Sequence, residues 1–197
     1  MPTIIGFHDS PFDSGATLIK DGEILAAIHE ERIARIKHCG GFPWRSIKEV
    51  LSVSNVDPSE IDAGAVRFTQ PDFIVQVLQG FFKSTSNLNP LKSKIDRYTL
   101  YAFEKYESLI HKNFLLGKID TTSSNILLHH LLRKLGIKEK IERIAHHLCH
   151  AASAFYSSGF EKCLVITADA RGDGISTSVT IADKTGIQRL PSSPDSA

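Results

Sequence analysis

The densest concentration of reactive side chains is His146-His147-Leu148-Cys149-His150. His146 and His150 are four positions apart, which places both imidazoles on one face of a helix. Neutral imidazole is the common ligand of zinc and divalent iron, so this spacing suits one metal ion. His147 lies about 100° round the helix and points elsewhere. No Glu follows the first His, which excludes the H-E-x-x-H pattern of metalloproteases. Taken alone, H-x-x-x-H equally describes a polar helix end with solvated histidines. Asp169-Ala170-Arg171-Gly172-Asp173-Gly174 follows a strongly apolar strand. Asp169 can complete a two-His, one-carboxylate site with open positions, and the glycines let backbone N–H groups approach an anion. An ordinary Asp/Gly hairpin is the competing reading.

Two further groups are weaker. His8-Asp9 ends the first strand, where a His beside an Asp can serve as general base, and Ser14-Gly15 follow in a turn that could wrap a phosphate. Arg35 and Lys37-His38 are read as a basic group at the end of the third strand, with Lys37 able to neutralise a phosphate as a mobile point charge. Each also fits an ordinary surface turn or a solvated charge run. Glu30, Glu31 and Arg32 read as surface pairs of little energetic weight.

These residues need a scaffold. Residues 3–8, 16–20 and 23–28 read as three strands, the last two joined by the hairpin signal Asp21-Gly22. A helix over 44–54, with Ile47, Val50 and Leu51 on one face, and a strand over 61–68 make the pattern α/β. Residues 69–140 read as a mostly helical insertion. Its apolar stripes are Phe73, Val77, Leu78, Phe81, Leu100, Phe103 and Leu109, with breaks at 84–90 and 117–124 and a helix over 122–135 ended by Gly136. A strand over 141–145, a helix over 147–158, a strand over 162–168, a tight turn over 169–174 and a strand over 175–181 follow, with Thr185-Gly186 starting another hairpin.

The 197 residues allow one large or two small domains, and 42% hydrophobic with 23% charged residues is ordinary for a globular chain. A net charge of +1 argues against a nucleic-acid arm or a polybasic membrane patch. No apolar run approaches the roughly 20 residues of a membrane span, and the N-terminus lacks a secretory signal. Three cysteines, none in a C-x-x-C pair, point to a reducing cytoplasm.

The order of these motifs is more specific than any one of them. It runs Gly6-Phe7-His8-Asp9, Asp21-Gly-Glu-Ile-Leu-Ala-Ala, Glu30-Glu-Arg, Lys37-His38, Phe42-Pro43, His146-His-Leu-Cys-His-Ala-Ala-Ser-Ala-Phe155 and Asp169-Ala-Arg-Gly-Asp-Gly174. In that order the chain resembles the NodU/CmcH-type O-carbamoyltransferases over residues 3–68 and 141–182. The resemblance implies an actin/Hsp70/sugar-kinase-type fold of ribonuclease-H-like lobes. Residues 1–160 would be the first lobe and 161–197 the incomplete start of the second. It implies an enzyme that moves a carbamoyl group from carbamoyl adenylate, made from carbamoyl phosphate and ATP, to a hydroxyl of a sugar or other small acceptor. By resemblance His146, His150 and Asp169 hold a divalent metal, usually iron. His8, beside Asp9, is the base, and Lys37 contacts the nucleotide, with Gly172, Asp173 and Gly174 in the motif's nucleotide-side turn.

Two departures stand out. Ser10-Pro-Phe-Asp13 is inserted before Ser14-Gly15-Ala16, and Ala170 replaces the first glycine of the Asp-Gly-x-Gly turn. Two other functions share the metal helix: a tRNA threonylcarbamoyl-transfer relative and a non-enzymatic metal- or nucleotide-binding regulator. Near-neutral charge, His8-Asp9 and Glu-Glu-Arg weigh against the first. The truncated second lobe also implies an inactive fragment with self-association, through its open strand edge, or disorder centred on residues 160–197.

Overall fold

The structure is a computed structural model and describes residues 2–9, 13–67, 113–172 and 175–190. They fall into two compact units. One reaches Ala65 and resumes from 113 to Ile141; the other holds Val66 and Arg67 and resumes at Glu142. The apolar stripes read between 73 and 109 lie outside the described residues. No helix among those described is long and apolar enough to cross a membrane.

In the first unit β1 (Thr3–His8), β2 (Gly15–Lys20) and β3 (Glu23–His29) form an antiparallel meander. Thr3, Ile5 and Phe7 are buried while the residues between them are half-buried, the period of two that a strand imposes. Asp21 and Gly22 close the β2–β3 hairpin at φ 57° and 86°, the paired left-handed backbone of a tight two-residue turn. β4 (Ala63–Arg67) and β5 (Ile141–Ile144) complete a five-stranded sheet of order β3-β2-β1-β4-β5 in a mixed α/β fold.

Gly15 is a strand residue rather than part of a phosphate-wrapping turn. It pairs with His8 on one side and His29 on the other. A Cβ there would stand 2.9 Å from the Ile28 carbonyl oxygen, 3.3 Å from His29 Cα and 3.6 Å from His8 Cε1. Two of these neighbours are backbone and cannot rotate away. Gly15→Ala is therefore expected to destabilise the unit by about 2 kcal/mol. A chemical-denaturation midpoint equal to that of the parent would contradict this.

The charge run after β3 is not a solvated strand end. It forms α1 (Glu30–Ala34), which Arg35 closes with left-handed backbone at φ 55°. Glu30 is 3% exposed. Its Oε2 accepts from the Ser46 amide at 2.8 Å and the Ser46 hydroxyl at 2.9 Å. Its Oε1 accepts from the Arg45 amide at 3.2 Å and the Arg45 guanidinium at 3.4 Å. These amides open α2 (Trp44–Val53), whose N-cap is Pro43 and has no side-chain acceptor to offer. Glu30 takes that role from fifteen residues away. Glu31 and Arg32 do form an exposed pair, at 3.7 Å.

The helix expected over 122–135 starts eight residues earlier, as α3 (Phe114–Lys134). Asn113 caps it by accepting from the amides of Leu115 and Leu116 at 3.1 and 3.2 Å. The residues read as a break lie inside this helix, where the Thr121 and Thr122 hydroxyls find acceptors by donating back to the carbonyls of Gly117 and Lys118, at 2.8 and 2.9 Å.

The second unit packs α4 (His146–Tyr156) on an antiparallel sheet of order β6-β7-β8. Its strands are β6 (Lys162–Gly172), β7 (Ile175–Asp183) and β8 (Gly186–Arg189). Ala151, Phe155, Val165 and Ala182 form the core between helix and sheet, with Cys163 and Ile187 against it. On the other face Leu164, Ile166 and Ile181 are exposed. The tight turn expected over 169–174 is corrected: β6 runs on to Gly172, which pairs with Ile175. Ala168 pairs with Thr177, so residues 169–171 lie opposite Ser176 alone. A bulge of this kind twists the strand and re-aims its side chains. Ala170 thus lies within a strand.

Candidate metal centre

Helix α4 begins at His146, with Ala145 as N-cap, so the ring pair at 146 and 150 sits in its first two turns. The sheet face beneath changes character along its length. Val165 and Ala182 are apolar under Phe155, whereas Thr167, Ser178 and Thr180 are buried hydroxyl residues. Val165 and Thr167 share one face of β6 by strand alternation, and Asp169, two residues on and within the bulge, reaches the helix's N-terminal end.

His146 Nε2 lies 2.6 Å from Asp169 Oδ2 and 2.9 Å from His150 Nε2, and His150 Nε2 lies 3.4 Å from Asp169 Oδ2. Two nitrogens and a carboxylate oxygen thus converge from residues that the sequence separates by up to 23 positions. Donor atoms about 2.1 Å from a common ion stand about 3.0 Å apart at a right angle and about 3.4 Å apart at the tetrahedral angle. The two distances involving His150 match these spans. The 2.6 Å contact is of hydrogen-bond length and would open by a few tenths of an ångström around an ion. The donor set is that of a two-His, one-carboxylate site with open positions, which suits zinc or divalent iron.

Burial pushes the His146 imidazole below its usual pKa. The Arg67 charge acts in the same direction, and the hydrogen bond and charge of Asp169 oppose it. Near neutral pH the ring is then uncharged, the form that ligates. His146 is 2% exposed, while the His150 and Asp169 side chains keep 48% and 34% of their surface open. The site therefore has a buried wall and an accessible side.

His147 turns away from these donors, as its position on the helix predicts. Sequence reasoning gave it no partner. It is buried against Thr167 on β6 and the Ile175 carbonyl on β7.

His8, Asp9, Ser14 and Lys37 belong to the first unit. His8 Nε2 donates to the Asp13 carbonyl oxygen, and its ring meets that of His29 at 5.9 Å, edge on. Asp9 is 7% exposed. Ser14 is fully buried, and its amide and hydroxyl both donate to the Cys39 carbonyl, at 3.0 and 3.1 Å. Lys37 is exposed in the segment after α1, not at a strand end. Gly172 ends β6, and Asp173 and Gly174 lie outside the described residues. A second group, Asp13, Glu31 and His38, also places its side-chain donors within 4.8 Å of one another. His38 Nδ1 lies 2.9 Å from Asp13 Oδ1, and the His38 amide donates to Glu31 at 3.1 Å. Sequence reasoning missed it because one member belongs to the inserted loop segment and two to the α1 region.

A family model described as carbamoyltransferase N-terminus matches residues 3–193. Nodulation protein NolNO of Sinorhizobium fredii (strain NBRC 101917 / NGR234) is 31% identical over 185 residues, 93% of this chain and 23% of that protein. The uncharacterized protein sll1178 of Synechocystis sp. (strain ATCC 27184 / PCC 6803 / Kazusa) is 31% identical over 182 residues, 91% of this chain and 27% of its own length. The chain thus spans about a quarter of either relative. Among solved structures, YeaZ from Pseudomonas aeruginosa aligns with a TM-score of 0.46 at 12% identity, over 98% of this chain and 65% of that one.

Proposed function

The chain belongs to the carbamoyltransferase N-terminal family, and from that premise we propose that it is the metal-bearing part of an O-carbamoyltransferase. The carbamoyl donor is carbamoyl adenylate, formed from carbamoyl phosphate and ATP. The acceptor is a hydroxyl of a sugar or another small hydroxylated molecule. The observation that carries this reading is the convergence of His146 Nε2, His150 Nε2 and Asp169 Oδ2. A divalent ion held by these residues, iron or a like metal, supplies Lewis-acid charge toward phosphate oxygens.

The remaining work falls to the chain's own side chains. His8 donates through Nε2 to Asp13, so in the neutral ring Nδ1 is the basic atom. In the proposed step the acceptor oxygen attacks the carbamoyl carbon. The bond from that carbon to the adenylate oxygen breaks, AMP leaves, and the hydroxyl proton passes to His8 Nδ1. Asp9 lies next to the base in the chain. Lys37, exposed and cationic, is assigned to the nucleotide phosphate, and Gly172, Asp173 and Gly174 to its backbone contacts.

The test supplies carbamoyl adenylate, Fe2+ or Co2+ and a panel of sugars and aminoglycosides to this chain joined to the remaining length of a relative such as NolNO, because the chain alone is expected to be inactive. AMP and O-carbamoylated acceptor are expected in equal amounts. His8→Ala is expected to lower the rate by about a hundredfold. A parental rate in His8→Ala would remove the base assignment. Salt-sensitive tRNA binding with no small-molecule product would replace this reading with transfer to tRNA.

A further inference from the structure

His147 sits between the two proposed ligands on α4 but engages other partners. Its ring is 5% exposed. Nε2 lies 2.9 Å from the Ile175 carbonyl oxygen and Nδ1 2.6 Å from Thr167 Oγ1. Thr167 Oγ1 in turn lies 2.7 Å from Ser178 Oγ, its cross-strand partner. A carbonyl only accepts, so Nε2 carries the proton. In the neutral ring Nδ1 is then an acceptor and takes the Thr167 hydroxyl proton. Thr167 has no second proton to give, so Ser178 donates to it. The chain has one direction throughout: Ser178 O–H to Thr167 Oγ1, Thr167 O–H to His147 Nδ1, His147 Nε2–H to the Ile175 carbonyl.

The two anchors straddle the bulge that carries Asp169. Thr167 is two residues before Asp169 on β6, and Ile175 is the first residue of β7. We propose that His147 is a positioning residue for the metal centre: its ring staples α4 to both strands of the β6–β7 hairpin. The staple fixes how far His146 and His150 stand from Asp169. The apolar core around Ala151 and Phe155 lies a turn or more from His147 along the helix. This rests on the metal reading above.

The test is titration of the metal-free chain with Co2+, followed by its visible absorption. His147→Phe keeps the ring volume and removes both hydrogen bonds. It is expected to weaken Co2+ binding about 10- to 100-fold while leaving the spectrum at saturation unchanged. Thr167→Val should weaken binding similarly, Thr167→Ser should restore parental affinity, and the double variant should be no weaker than the weaker single one, because both break one staple. Nitrogen NMR of the metal-free chain should find the His147 proton on Nε2. His147→Phe at parental affinity overturns the proposal while leaving the metal reading intact. A changed spectrum at saturation also overturns it, by making His147 a ligand. If His147→Phe does not fold, Thr167→Val and Thr167→Ser decide. A parental chain that takes up no Co2+ overturns the metal reading and the staple together.

Discussion

His150→Ala and Asp169→Ala are each expected to lower divalent-metal affinity by about two to three decades. Structural zinc sites with four ligands bind with roughly 10–16 kcal/mol, about 2.5–4 kcal/mol per ligand. Each of these residues contributes one donor atom to the group of three. His150 is the cleaner position, since its side chain is about half exposed and its removal leaves no cavity. His146 is nearly fully buried, so His146→Ala would mix ligand loss with lost packing. Asp169→Asn separates charge from volume and should fall between parent and Asp169→Ala. Co2+ titration and metal analysis after dialysis measure the effect. Equal stoichiometry and affinity in parent and His150→Ala would remove the site.

Glu30→Ala is expected to destabilise the first unit by about 3 kcal/mol, a hundredfold or more in the folding equilibrium. The carboxylate is 3% exposed and accepts four hydrogen bonds. Its loss leaves the amide and hydroxyl of Ser46, a fully buried residue, without their acceptor. A buried donor so stranded costs roughly 1–3 kcal/mol, and loss of a helix cap costs about 1 kcal/mol. The Arg45 guanidinium adds little, because that side chain is largely exposed. Glu30→Gln keeps one acceptor oxygen and should lose less. Chemical denaturation followed by far-ultraviolet dichroism measures both, and a Glu30→Ala midpoint equal to the parent's would refute the capping role.

Several elements were legible before any coordinates because their signals are local. The β1–β3 meander follows from apolar alternation and Asp21-Gly22, and α2 from the spacing of Ile47, Val50 and Leu51. Others were misread where a side chain answers a backbone need that composition conceals. Gly117 and the threonines after it look like a break, yet α3 runs through them with the threonine hydroxyls bonded back to its own carbonyls. Asp169–Gly172 looks like a turn, yet β6 continues through a bulge whose pairing partner is on another strand.

The chain's own letters sufficed for the i, i+4 histidine pair, an aspartate just past an apolar strand and the family to which their order belongs, because helix and strand periodicities are set by neighbours in sequence. Only the tertiary structure decided that Asp169 meets those histidines and that His147 holds the hairpin. It also decided that Glu30 caps a helix fifteen residues away. Each of these depends on contacts across loops or between a helix and a sheet. Their distances are set by packing and by the satisfaction of buried polar groups, and no local pattern encodes those.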